Sequence, residues 1–215
     1  WITIPENIID LINRVRGRNN YRAYAGYNSG GANAVYWIIP LKKIDKEREI
    51  NLDGNICRTL GLSDSKIKIR YLLIENNTKG AKRKVNKVTA VIEDFFVFPL
   101  LKTRNVKKWK INGYIYAIQP QNPVTRCGYD IKWIKNNFPK TFEYFMHFRE
   151  TLLERAAYKK YYAHKKTEAP FYTIYNVGKY TYSPYKVVWN QMGSSINACV
   201  ISTVDDKFIG RKLLL

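Results

Sequence analysis

The chain has few of the residues that metal sites and disulfide scaffolds require. Its 215 residues include 3 cysteines and 2 histidines, and Cys57, Cys127 and Cys199 are widely spaced. This number and spacing argue against a disulfide framework and a zinc knuckle, and no metal is expected. Reduced thiols are the rule in the cytoplasm, which is the predicted location. No apolar run reaches the roughly 18 residues of a membrane-spanning helix, so no membrane partner is expected.

Motifs for catalysis are missing or incomplete. There is no Gly-Lys-Ser/Thr phosphate loop, and no histidine order resembles a catalytic triad. The stretch Asn122–Thr125 departs from the Asn-Pro-Pro-Tyr loop of adenine methyltransferases at its third and fourth positions. Asp130-Ile-Lys132 and Asp64-Ser-Lys66 match half of a nuclease site, without an identifiable partner acid. We predict no catalytic residue, and a stand-alone nuclease is kept as an alternative.

Acidic residues are scarce relative to basic ones. There are 37 Lys and Arg against 17 Asp and Glu, which gives a formal net charge of +20. Positive charges in such excess repel one another in a compact chain, so the excess points to a polyanionic partner, and nucleic acid is the first candidate. The apolar fraction of 46% predicts a packed core rather than a disordered chain.

Hydrophobic periodicity predicts an α+β fold with mixed, mostly antiparallel sheets, an N-terminal helix and one long inserted helix. The first helix is predicted within Thr3–Gly17, and the long one begins at Pro139, inside a helical insertion of about residues 129–166. The charged stretch 40–54 is predicted to be a loop. Strands are predicted at 34–39, 66–75, 88–101 and 112–120, with two or three more in 170–203.

Four turn-like segments are rich in basic residues: 21–33, 79–87, 102–110 and 175–189. All of them except 79–87 also carry aromatic residues. Lys and Arg neutralise phosphates, and aromatic rings stack on bases or sugars. Each segment alone fits a solvated turn equally well, whereas four of them in one strongly basic chain favour nucleic acid. The residues predicted to bind DNA are Arg22, Asn28, Lys82, Arg83, Lys84, Lys102, Arg104, Lys107, Lys108, Trp109, Lys179, Tyr185 and Lys186.

Five stretches, in chain order, carry a family resemblance: YRAYAGYNSGGANAVYWI, IEDFFVFPLLKTRNVKKWK, NNFPKTFEYFMHFRETLLERAAYKK, PFYTIYNVGKYTYSPYKVVWNQM and NACVIST. In this order they resemble the C-terminal specificity domain of TaqI-type N6-adenine DNA methyltransferases, as found in type IIG restriction–modification enzymes. The resemblance covers nearly all of the chain from Tyr21 to Thr203, and its last two stretches are the most specific.

The resemblance implies that residues 1–215 form a target recognition domain, which binds double-stranded DNA and reads a short sequence. The chain is then expected to be a fragment, with a catalytic methyltransferase domain preceding Trp1 in the same polypeptide. That parent would transfer a methyl group from S-adenosylmethionine to adenine N6, with or without DNA cleavage. The fragment itself is expected to hold no cofactor and to catalyse nothing. The alternatives are an RNA- or single-strand-binding module, and a protein-interaction module with incidental charge.

One departure from the family lies in the basic turn. The family often has Gly-Arg-Asp where this chain has Thr103-Arg104-Asn105. Replacing the acid by Asn105 predicts either a changed turn hydrogen bond or a different DNA target.

Overall fold

The computed structural model describes residues 5–17, 20, 22–60, 62–162, 169–183, 185–190 and 195–202. Within them the helices are α1 (Glu6–Val15), α2 (Asn33–Tyr36), α3 (Gly54–Leu60), α4 (Ile131–Asn137), α5 (Pro139–Met146), α6 (Arg149–Leu153) and α7 (Ala156–Tyr161). The strands are β1 (Trp37–Asn51), β2 (Lys66–Asn76), β3 (Thr89–Glu93), β4 (Val97–Leu100), β5 (Val106–Lys107), β6 (Lys110–Ile111), β7 (Ile115–Ile118), β8 (Gln121–Asn122), β9 (Cys127–Gly128), β10 (Lys186–Trp189) and β11 (Ala198–Ile201). The predicted α+β class is confirmed.

The central element is a five-stranded sheet in the order β3-β2-β1-β7-β4, with every neighbouring pair antiparallel. Side chains of the sheet and of α4–α7 form the main core, among them the fully buried Ile74, Phe145 and Leu152. β10 and β11 form a separate hairpin near the C-terminus, and β5 and β6 form another in the basic turn. The fold therefore consists of one large core and smaller hairpins attached to it.

The prediction of a loop at 40–54 is wrong, because β1 extends to Asn51 and includes most of this stretch. The second half of β1 pairs with β2 as a ribbon whose side chains are mostly exposed. Charged side chains pair across the ribbon, with Glu49 2.8 Å from Lys66 and Glu47 2.9 Å from Arg70. A strand exposed on both faces has no apolar alternation, so its sequence resembles a loop. The strand predicted from Ala34 begins instead at Trp37, after α2.

The single long helix predicted from Pro139 is three consecutive short helices, α5, α6 and α7. The first break follows His147, where Phe148 leaves helical geometry and is buried. The second break is at Arg155, which has ψ 126° and is completely buried. The chain turns at these points because both side chains enter the core instead of following one helix face.

A buried carboxylate fixes the start of α5. Glu93 is 0% exposed, and its Oε2 accepts the backbone N–H and the hydroxyl of Thr141, both at 2.7 Å. Its Oε1 accepts the N–H of Lys140 at 3.1 Å. Helix N-termini carry unpaired N–H groups and a partial positive charge, which a carboxylate satisfies. Glu93 therefore joins the end of β3 to α5.

A buried guanidinium, that of Arg155, lies between α6 and α7. Arg155 is 0% exposed and donates to the carbonyl oxygens of Leu152 at 2.9 Å, Ser29 at 3.0 Å and Phe171 at 2.6 Å. No acid of the described residues forms an ion pair with it. Arg155 therefore joins its own helical stretch to the backbones of two other segments, at Ser29 and at Phe171.

Helix α1 confirms the predicted N-terminal helix over Glu6–Val15, whereas Thr3 and Ile4, at the start of the predicted span, lie outside the described residues. Its apolar residues Ile8, Leu11 and Ile12 are all exposed. Among the helices of the described residues, none has the length and apolar character to cross a membrane.

Candidate nucleic-acid interface

The basic turn 102–110 is built on hydrogen bonds of Asn105. Its Oδ1 accepts the N–H of Lys102 at 3.0 Å, and its Nδ2 donates to the carbonyl of Asn112 at 2.7 Å. Its backbone N–H also donates to the Lys102 carbonyl, and its carbonyl accepts from Asn112. An aspartate at this position keeps the first contact and loses the second, because a carboxylate does not donate. Asn105 thus ties both ends of the turn together.

Replacing Asn105 with aspartate is expected to lower the free energy of unfolding by about 1 kcal/mol, because one hydrogen bond is lost. Replacing it with alanine removes both side-chain bonds and is expected to cost about twice as much. Urea denaturation of the purified chain measures both changes. Thr103→Ala, at an exposed position of the same turn, is the control. An aspartate variant as stable as the wild type would contradict the donor role of Asn105.

A second, smaller core lies beneath the turn. It contains Leu101, Val106, Val188, Cys199 and Ile201. The Trp109 N–H also donates to the Ala198 carbonyl at 2.8 Å. Two segments that the sequence predicted separately, the basic turn and the β10–β11 hairpin, are therefore one packed unit.

Trp109 is at the tip of this unit. Trp109 is 78% exposed, so its ring does not pack back onto the core. Its φ is +66°, in the left-handed region that bulky side chains rarely adopt. Lys107, Lys108 and Lys110 around it are exposed, and within the described part of the chain none of them forms an ion pair.

The first and last basic–aromatic segments also meet. The rings of Tyr24 and Tyr180 stack with centroids 4.0 Å apart and an angle of 9°. The backbones of Asn28 and Tyr175 exchange hydrogen bonds of 3.1 and 2.9 Å. At Gly30, a Cβ would lie 2.9 Å from the Tyr175 ring, so this close approach requires glycine.

Both segments reach the strand that leads into the basic turn. Phe98 in β4 belongs to a small cluster against which Tyr27 and Tyr182 pack. Trp37 joins the same cluster, and the Lys102 ammonium lies 3.7 Å from the centre of its ring. Three of the four predicted segments, 21–33, 102–110 and 175–189, therefore lie next to one another.

Most of the predicted DNA-binding side chains are exposed: Arg22, Asn28, Lys82, Lys84, Arg104, Lys107, Lys108, Trp109, Lys179 and Tyr185. Arg83, Lys102 and Lys186 are half-buried. Burial against Trp37, followed by the nearby charge of Arg104, lowers the pKa of Lys102. The Lys186 ammonium donates to the Thr181 carbonyl at 2.6 Å. These internal contacts give Lys102 and Lys186 a positioning role within the surface.

The arm 79–87 is oriented by different contacts. Asn76, at its base, donates to the Asn86 carbonyl and accepts the Val88 N–H at 2.7 Å. Farther along, Arg83 lies 3.7 Å from the carboxylate of Glu154, next to α6. The side chains of this arm thus contact the helical segment, and the structure does not join Lys82, Arg83 and Lys84 to the other three segments.

The half-motifs considered for catalysis have structural roles. Asp130 caps α4 by accepting the Trp133 N–H at 3.0 Å. Lys66 pairs with Glu49. In the turn after β8, the side chain of Asn122 accepts the N–H groups of Val124 and Thr125. Within the described residues, no group of three or more His, Cys, Asp and Glu side chains is placed to hold a metal ion.

Two residues of this surface were missed from the sequence. Arg126 has φ +58° and lies beside Tyr180, whose pKa is raised by burial and held back by the Arg126 charge. Trp189 is half-exposed on β10, next to Ala198. Trp189 ends the fourth predicted segment but was not among the residues predicted to bind DNA. Arg126 lies outside the predicted segments and reaches the surface from the turn between β8 and β9, so only the long-range fold reveals it.

Comparisons of the chain with models of protein families, with curated proteins and with solved structures found no match.

Proposed function

We propose that this chain is the target recognition domain of an N6-adenine DNA methyltransferase from a restriction–modification system. In this proposal it holds double-stranded DNA for a catalytic domain that precedes it in the same polypeptide. S-adenosylmethionine belongs to that catalytic domain, and no residue of this chain is assigned to it. Five ordered stretches that resemble the specificity domains of TaqI-type enzymes support the assignment to this family.

The observation that carries the proposal is the meeting of three basic–aromatic segments. The contacts that join them are independent: the Tyr24–Tyr180 stack, the Asn28–Tyr175 backbone pair and the shared small core under the basic turn. Turns that serve only as solvent-exposed connections have no need to pack against one another. Adjacent segments that carry exposed cations and exposed aromatic rings fit the phosphates and bases of a nucleic acid.

The surface divides into contacting and positioning residues. Six exposed cations are available to phosphates: Arg22, Arg104, Lys107, Lys108, Lys110 and Lys179. The exposed rings of Trp109, Tyr24 and Tyr185 supply stacking surface. Lys102 and Lys186 hold the surface in shape through their contacts with Trp37 and Thr181. Phosphate contacts fix the position of the domain, and contacts with base edges supply the sequence preference.

Binding of the chain to duplex DNA is expected to depend steeply on salt. Six phosphate contacts predict a slope of about −5 for log K against log salt concentration, since each contact releases about 0.9 counterion. Affinity should then fall about 10³-fold between about 50 and about 200 mM salt. Fluorescence anisotropy with a labelled duplex measures the slope.

Two outcomes would contradict the proposal in different ways. A flat salt response, or no binding at low salt, would leave the charge without a nucleic-acid role and favour the protein-interaction module. Equal or tighter binding of single-stranded DNA in a competition experiment would favour the RNA- or single-strand-binding module instead.

A further inference from the structure

Trp109 occupies a turn position that does not suit its side chain. Lys107 pairs with Lys110, so Lys108 and Trp109 form the two-residue connection between β5 and β6. In a turn with positive φ at its second central residue, glycine or asparagine is the usual choice. At φ +66° the backbone of a tryptophan is in a conformation that is unfavourable for a bulky side chain.

Contacts of the Trp109 ring within the folded chain do little to offset the cost of this conformation. The ring is 78% exposed, and within the described residues it makes no ring stacking or cation–π contact. An exposed strained residue of this kind indicates a role outside the fold of the chain itself. The role must use the ring, because the backbone alone would be served better by glycine.

The turn is held firmly against its neighbours. The Trp109 N–H donates to the Ala198 carbonyl at 2.8 Å, and Val106 is buried in the small core shared with β10 and β11. The ring is therefore carried on a packed hairpin and not on a free loop. A side chain that enters between stacked bases must be held in place, since a mobile loop would be displaced before the bases separate.

The surroundings combine apolar surface with positive charge. In β10 and β11, Val187 faces Val200, and Trp189 faces Ala198, on the side opposite to the buried pair Val188 and Cys199. Val187, Trp189 and Val200 are all exposed. Lys107 and Lys110 belong to β5 and β6, which both contact β11. With Lys108 they provide exposed charge that is complementary to phosphate.

We propose that Trp109 is a wedge that inserts between stacked bases of duplex DNA, with the flanking lysines bound to the phosphates on either side. This inference rests on the DNA-binding function proposed above. Apolar side chains that enter a base step separate the two bases and bend the duplex, and the energy needed for unstacking is supplied by the added contacts. The positions of the ring and of the lysines match these two requirements.

The test uses two labelled duplexes of identical sequence, one fully paired and one with a central abasic site. Insertion of a side chain costs less unstacking energy where the base stack is already interrupted by the abasic site. The wild-type chain is expected to bind the abasic duplex about ten-fold more tightly at low salt, as measured by anisotropy. Trp109→Gly is expected to bind both duplexes equally, and Trp109→Phe is expected to keep most of the preference.

Lys108→Gln is the matched control in the same turn. It is expected to weaken binding to both duplexes alike and leave the ten-fold ratio unchanged, because it removes charge and not the ring. Trp109→Gly should also be at least as stable as the wild type in urea, since glycine suits φ +66°. A loss of affinity in Trp109→Gly therefore does not arise from misfolding.

Three results would overturn the inference. If Trp109→Gly keeps the ten-fold ratio, another group senses the broken stack. If the wild type shows no preference and Trp109→Gly weakens both duplexes equally, Trp109 is a surface contact and the DNA-binding proposal stands. If the wild type binds neither duplex, the DNA-binding proposal itself has failed.

Discussion

Replacing Arg155 with methionine is expected to lower the free energy of unfolding by about 3–5 kcal/mol, because three backbone carbonyl oxygens lose a buried donor. The variant keeps an unbranched apolar side chain but leaves the carbonyls of Leu152, Ser29 and Phe171 without their donor. Each buried carbonyl without a partner costs about 1–3 kcal/mol. Urea denaturation followed by circular dichroism measures the change.

Arg155→Lys separates charge from geometry. A lysine keeps the positive charge, but one ammonium on a flexible stem does not span three carbonyls as a planar guanidinium does. This variant is therefore expected to lose most of the same stability. Arg149→Met, at an exposed position of α6, is the control and is expected to change stability by less than about 0.5 kcal/mol. If Arg155→Met matched that control, the assignment of Arg155 as the central link would be wrong.

The loss should reach the proposed interface as well. Arg155 holds the Ser29 carbonyl, one residue from the Asn28–Tyr175 pair that joins two of the basic–aromatic segments. The Tyr175 ring also lies 5.6 Å from the guanidinium. Weaker DNA binding in Arg155→Met is therefore expected even under conditions in which the variant stays folded.

Neutralising the basic turn is expected to have the largest effect on binding. Changing Arg104, Lys107, Lys108 and Lys110 to glutamine removes four exposed cations without touching the small core. Affinity for duplex DNA at about 100 mM salt is expected to fall on the order of 10²–10³-fold, and the salt slope is expected to shrink by about 4. The loss should be similar for every duplex sequence, because phosphate contacts carry no sequence information.

A second set of four substitutions tests whether position matters. Lys42, Lys46, Lys132 and Lys135 are also exposed, and changing them to glutamine gives the same change in net charge. This control is expected to weaken binding far less, because none of the four lies in the three joined segments. Equal losses in the two variants would mean that net charge alone drives binding, and would argue against a located interface.

The sequence predicted those parts of the fold that depend on local pattern. The alternation in Lys66–Glu75 and the proline at Pro139 gave a strand and a helix start where the structure has them. The second half of β1 was missed because a ribbon exposed on both faces has no apolar period. The helix breaks were missed because they depend on burying Phe148 and Arg155, which only long-range packing decides.

The proposed interface shows the same limit. Its basic turns were visible from charge and aromatic content, but each fitted a solvated loop equally well. What joins them are contacts between distant residues, such as the stack of Tyr24 on Tyr180, and no local pattern encodes those. Lys102 illustrates the opposite error, because a lysine in a basic turn resembles a free cation while its ammonium lies over the Trp37 ring.

The small core of Leu101, Val106, Val188, Cys199 and Ile201 has a consequence for how this protein can evolve. The basic turn and the β10–β11 hairpin rest on this core and not on the large one around Phe145. Exposed residues at the tips of these hairpins can therefore be substituted, and the tips can gain residues or change charge, while the central sheet keeps its packing. A chain built in this way can acquire a new surface in few mutational steps, with most of its fold left under separate selection.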